Sequence, residues 1–224
     1  ACPSGTPKTS EMLTSNYEVT ENINAFKEGQ DITLTSANSL GTTATLLRSA
    51  TGVSGGPYTG NLITLNNSAH LTLGNIILDG NKDNISGTSV TGALLNATTG
   101  TSVQLGIENS ESENPVLKNN KVQSTWGAAA IRCTTADLTM YGGSIENNAS
   151  YSGSYVFAGA VMVQNATFNL LGGSLTNNYT ESFNTVYSGA VLIYGASSAT
   201  FNMSGGEISG NKVNATSTTR REVY

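Results

Sequence analysis

The stretch GAVMVQNATFNLLGGSLTNNY, residues 159–179, decides the fold. Three short runs, 160–164, 167–171 and 174–177, alternate apolar and polar side chains, and the turn-forming pairs Asn165-Ala166 and Gly172-Gly173 separate them. Near copies lie on either side. GAAAIRCTTADLTMYGGSIENNA starts at Gly127 and GAVLIYGASSATFNMSGGEISGNK at Gly189, while two weaker copies follow Gly60 and Gly92. The leading glycines at 60, 92, 127, 159 and 189 are spaced by 32, 35, 32 and 30 residues, within the range of solenoid repeats.

A helical repeat is excluded, because the units lack a 3.6-residue period and are filled with Gly, Thr and Asn, which are poor helix formers. Three strands per unit, each too short to stand alone, make sense if equivalent strands stack at ~4.8 Å into three long parallel sheets. The fold predicted is all-β: a right-handed parallel β-helix, a three-sheet solenoid of about 30-residue coils with variable loops on one edge. Its inward positions are Val161, Val163, Phe168, Leu170 and Leu175, with Val191, Ile193, Phe201, Met203 and Ile208 as equivalents one coil on. Asn148, Asn178 and Asn211 share one turn position, with Asn81 and Asn120 as earlier counterparts, and are expected to form an internal amide ladder that satisfies the turn backbone.

Residues 1–58 read as an N-terminal capping region with the first coils, carrying strand-like pieces at 17–20, 31–35 and 44–47. Residues 59–224 read as the β-helix repeats of a single continuous domain. The last coil is repeat-like up to Lys212, so further coils are expected beyond the C-terminus.

Composition agrees with an extracellular β structure. Charged residues make up 11% of the 224, against about 25% in typical domains, while Gly and Asn each number 25. A net charge of −5 with only ten scattered Lys and Arg offers no basic stripe for nucleic acid. No apolar run approaches the roughly 20 residues of a membrane-spanning helix. Cys2 and Cys133 could pair in an oxidising compartment, but one bridge is not a disulfide framework. Ala1-Cys2 fits both the end of a lipid-attachment signal and a cut near a signal-cleavage site. The expected location is extracellular, secreted or attached to a bacterial cell surface.

The motifs Gly-Ala-(Val/Ala)-x-(Ile/Val) at 127, 159 and 189, and the segments SIENNA, SLTNNY and EISGNK with Asn148, Asn178 and Asn211, resemble the repeats of the polymorphic membrane protein family of autotransporter adhesins and related adhesin-like surface proteins. Trp126, Ala158 and Ser188 stand where that family's motif has its first Gly, and Ile145, Leu175 and Ile208 where it has Phe. The resemblance implies a β-helix that adheres at a cell surface, with a host or neighbouring-cell protein or glycan as partner.

No catalytic, cofactor or metal residue is assigned. The four Asp, at 31, 79, 83 and 137, include no adjacent pair, and the one His, His70, has no carboxylate neighbour in sequence. Asp79-Gly80-Asn81-Lys82-Asp83 resembles the first half of a calcium loop, but Asn84 and Val90 replace the Gly and Glu that complete one. Gly52-Val53-Ser54-Gly55-Gly56 matches a nucleophile-elbow pattern among turn formers, without the required strand-to-helix context. An alternative reading, a carbohydrate-active enzyme of the lyase or glycoside hydrolase kind, would need Asp79, Lys82, Asp83 and Arg132 to converge in one groove.

The segments 121–126, 149–158, 179–188 and 212–224 follow the turn Asn in successive repeats and hold most of the large aromatics. Trp126, Tyr151, Tyr155, Phe157, Tyr179, Phe183 and Tyr187 are the candidate ligand-binding residues, since rings with polar tips on a rigid scaffold suit protein or sugar recognition. The competing reading is that these rings pack on one another and cover the flank of the sheet.

Overall fold

The computed structural model describes residues 7–52, 54–195 and 199–215. Cys2 lies outside them, and so does any pairing of it with Cys133.

Each coil runs through the same sheets in turn, and every strand pairs in parallel with its equivalent one coil away. In the central coil these strands are Val161–Gln164 on sheet 1, Thr167–Leu170 on sheet 2 and Ser174–Thr176 on sheet 3. Sheet 1 has five strands, from Ile63–Leu65 to Val191–Tyr194. Sheets 2 and 3 have seven each and begin at Lys8–Met12 and Asn16–Val19, so the N-terminal segment joins the same stack. The result is a parallel β-solenoid of about six turns.

The expected registers hold. Val161 lies beside Val191, Phe168 beside Phe201, Leu170 beside Met203 and Leu175 beside Ile208. Val161, Val163, Phe168, Leu170 and Leu175 are fully buried in one continuous core that reaches back to Val19. Their equivalents in the last coil have nothing stacked over them among the described residues, and Phe201, Met203 and Ile208 are exposed.

Sheets 2 and 3 meet at the paired glycines 142–143, 172–173 and 205–206. A Cβ on Gly172 would lie 2.2 Å from the Tyr141 carbonyl oxygen and one on Gly205 2.1 Å from that of Leu171, so only glycine lets these turns stack. The second glycine of each pair has positive φ, 90°, 82° and 76° at 143, 173 and 206.

At the far end of sheet 3 the asparagines form the expected ladder from Asn120 to Asn211. The backbone N–H of Asn120 donates to Oδ1 of Asn148 (3.1 Å), that of Asn148 to Asn178 (3.1 Å) and that of Asn178 to Asn211 (2.9 Å). Their Nδ2 groups bond the carbonyls of Ala129, Leu117, Ile145 and Leu175. The residues just before, Asn119, Asn147 and Asn177, take the left-handed turn at φ 55°, 56° and 55°.

Asn81 does not belong to this ladder, contrary to the expectation from its repeat position. It takes the left-handed conformation itself (φ 55°), gives its N–H to Oδ1 of Asp79 (2.8 Å) and bonds the Arg48 carbonyl with its side chain (3.0 Å). The reason is Asp79, which sits where later coils have Lys118, Glu146 or Thr176 and closes an Asx turn over the next two residues. Oδ1 of Asn120 is consequently buried without a partner.

The edge expected as loops is also built from strands. Lys121–Gln123, Ala149–Ser152, Tyr179–Ser182 and Lys212–Ala215 form sheet 4, and Tyr155–Ala158 pairs with Thr185–Ser188 as sheet 5. Together they make a fin that projects from the three-sided body.

Candidate binding site

The fin stands because its two sheets face one another across small side chains. Val156, Val186 and Ala215 form a minor core. Buried hydroxyls bond the opposite backbone, with Ser182 donating to the Ser154 carbonyl (2.5 Å) and Thr180 to that of Ser188 (2.8 Å). A wall pinned by backbone-directed bonds every coil is a rigid platform, and its two outer faces carry different chemistry.

On the sheet 4 face, strand alternation turns Gln123, Tyr151, Glu181 and Asn214 outward in one column. Tyr151 donates to Oε1 of Gln123 (3.3 Å), and Asn214 donates to Oε1 of Glu181 (3.0 Å). Nζ of Lys121 lies 5.0 Å from the centre of the Tyr151 ring, a cation–π contact. Lys82 reaches across from the short 3-10 turn Lys82–Asn84 and donates to the carbonyl (2.6 Å) and Oδ1 (2.5 Å) of Asn147. Partial burial pushes its ammonium below the usual lysine range; Asp83 opposes this, Lys121 adds to it and Asp79 opposes it.

Two recesses of about 340 and 320 Å³ open on this face, and Lys82, Lys121 and Tyr151 border both. The first continues past Ser89, Val90 and Gly80, the second past Asn147, Tyr179 and Glu181. They form one groove with a tyrosine in its floor, two cations beside it and amides and hydroxyls along it. Such a surface can take a flat ring on the phenol and hold hydroxyls or an anion at its sides.

The sheet 5 face is aromatic. Phe157 stacks on Trp126 at 4.5 Å on one side and on Tyr187 at 4.9 Å on the other, close to the spacing of the coils. Tyr155 and Tyr194 meet Phe157 at 5.8 and 5.5 Å. Phe157 is buried, and with Tyr187 it covers Ala128, Met162 and Leu192 on the outer face of sheet 1.

The seven candidate residues therefore fall in three places. Tyr151 and Tyr179 line the groove. Trp126, Tyr155, Phe157 and Tyr187 form a row of packed rings on the sheet 5 face. Phe183 sits exposed at the fin's turn. Sequence reasoning passed over Lys121, Gln123, Glu181 and Tyr194 as binding residues. Gln123, Tyr151, Glu181 and Asn214 recur at spacings of 28, 30 and 33, the same intervals as the ladder asparagines 120, 148, 178 and 211, and that shared interval is the signal that could have found them.

Compared with known proteins, the chain matches no family model, no curated protein and no solved structure.

The four side chains a dispersed enzymatic site would need do not line one cavity. Asp79 spends its carboxylate on the Asn81 turn and on Lys118 (3.9 Å), Lys82 and Asp83 border the groove, and Arg132 borders a separate recess on sheet 1. His70 is exposed, with Nδ1 2.6 Å from the Ser102 hydroxyl.

Cys133 points into the core between Ala97 and Val163, fully buried and unpaired among the described residues. Burial, with a smaller push from Asp137, raises its pKa to about 12.

Proposed function

We propose that this chain is a noncatalytic binding module of a secreted or cell-surface protein, adhesin-like in the manner of the polymorphic membrane protein repeats, and that it recognises a surface glycan through the sheet 4 groove. The observation that carries the reading is the placement of Tyr151. Its ring is held between Lys121 above and the Gln123 amide beside it, in the floor shared by two adjoining recesses. A fixed aromatic surface with donors and acceptors at its rim suits a row of sugar rings, and a scaffold bonded coil to coil supplies it without ordering cost on binding.

The test is a glycan and extracellular-matrix array probed with the native chain and with a Lys121→Ala, Tyr151→Ala double variant. Binding by the native chain that the double variant loses supports the reading. Binding that survives both substitutions places the site elsewhere, and no binding by either leaves the solenoid as an extracellular spacer.

A further inference from the structure

The opposite side of the fin holds a third recess, of about 200 Å³, on the outer face of sheet 1. Asn61, Thr91, Asn96, Ser124, Trp126 and Arg132 line it, together with glycines and alanines. None of its lining residues is acidic. Its one charge is the guanidinium of Arg132, which strand Ile131–Thr134 turns outward between Asn96 and Met162.

Arg132 is half-buried, and its Nε is sealed from solvent without a hydrogen-bond partner. The one ion pair among the described residues joins Lys118 to Asp79, so no carboxylate among the described residues neutralises Arg132. A partly desolvated guanidinium lacking an acceptor is costly, and its planar fork of five donors matches an oxyanion bidentately. Beside it, Phe157 holds the Trp126 indole by stacking on it at 4.5 Å, while the indole also borders the recess. The volume lies below the ~300 Å³ at which drug-sized ligand sites begin, so one ring rather than a long chain fits.

We propose that this recess binds the anionic group of a sugar, a carboxylate or a sulfate ester, with the oxyanion on Arg132 and the ring against Trp126. The site is separate from the Tyr151 groove and stands whether or not that groove binds.

Trp126 is the sole tryptophan of the chain, so its fluorescence reports on this recess and on the ring stack beside it, and not on the Tyr151 groove. The probes are a glucuronate-containing oligosaccharide, a sulfated oligosaccharide and the neutral parent of each, titrated into the full chain. Saturable change in Trp126 emission with one or both anionic probes, weakening as salt rises and absent with the neutral parents, is the expected result; which probe acts tells carboxylate from sulfate. Arg132→Gln should weaken the response at least tenfold, Arg132→Lys should fall between, and Tyr151→Ala should leave it intact. Because Arg132 makes no hydrogen bond or ion pair among the described residues, the Arg132→Gln chain should melt with the native one, which separates lost binding from lost structure. Equal response to the neutral sugars, an undiminished response in Arg132→Gln, or an equal response to an acidic peptide would overturn the proposal.

Discussion

The two halves of the solenoid satisfy the same backbone need by different means. From Asn148 onward, asparagine at the end of sheet 3 accepts the preceding coil's N–H and donates to a carbonyl of that same coil, and the fin rises from that turn. In the earlier coils the column of leading-glycine carbonyls is capped by Arg48 instead. Arg48 is fully buried; its Nη1 donates to the carbonyls of Tyr58 (3.1 Å) and Gly60 (2.5 Å), and its Nη2 to Gly92 (3.1 Å). No carboxylate pairs with it among the described residues; the Tyr58 ring stands 5.6 Å from its guanidinium carbon. Desolvation holds its pKa at about 10, with the Tyr58 hydroxyl opposing. Asn120 stands at the boundary, bonding Gly92 from the other side (3.0 Å) and leaving its Oδ1 unpaired. A repeated small amide permits a strand to follow at every level, whereas one large cation serves two coils and, among the described residues, no strand follows the Arg48 turn toward a fin. The groove opens where the two halves meet, between the 80–90 turn of the earlier coils and the sheet 4 strands that follow the amide ladder.

Breaking the arginine cap has the largest expected effect. Arg48→Ala opens a cavity and strands the Tyr58 carbonyl, and should cost about 3–4 kcal/mol in chemical unfolding. Within the ladder, Asn148→Ala removes the acceptor for the Asn120 N–H and the donor to Leu117, and should cost about 2–3 kcal/mol. Asn81→Ala, outside the ladder, puts alanine in a left-handed turn and removes the bond to the Arg48 carbonyl while Asp79 still closes the turn, and should cost about 1–2 kcal/mol. Equal losses at 81 and 148 would erase the distinction between the halves.

Cys133 gives a pH-dependent contrast. Its folded-state pKa lies above the unfolded value, so the folded chain keeps a proton that the unfolded chain releases as pH rises through 9, and stability falls from there toward 12. The slope approaches about 1.4 kcal/mol per pH unit. Arg48, with its folded pKa below the unfolded one, acts oppositely from about 10 upward; Lys82, also lowered, acts in the same sense as Arg48, and Tyr58, raised by burial, acts in the sense of the thiol, so the thiol is singled out by its own substitution. Cys133→Ala, which repeats Ala97 one coil away, should flatten the decline between about pH 9 and 10, as read by urea midpoints at the two pH values. An unchanged slope would contradict the burial.

The body of the fold was legible because two independent signals coincide in 159–179: alternation within strands and recurrence between coils. The fin was not, because its inward residues are Ser150, Thr180 and Ser182, which read as turn formers although they alternate with Tyr151, Tyr179 and Glu181. Arg48 escaped notice for a similar reason. Ala44, Leu46 and Arg48 share one parity and all point inward, but a charged residue at the end of an apolar set reads as the place where the strand surfaces. The aromatic candidates were found by type and sorted only by structure, since sequence spacing does not say that 151 and 157 lie on opposite faces of one wall.

The most direct test of the groove as a binding site is an equilibrium titration of the native chain and Tyr151→Ala with the glycan that scores highest on the array, with melting curves for both. Tyr151 packs on the surface of a wall whose own bonds run through other residues, so the account predicts an affinity at least tenfold weaker at an unchanged melting temperature. Equal affinity in the two chains would contradict it.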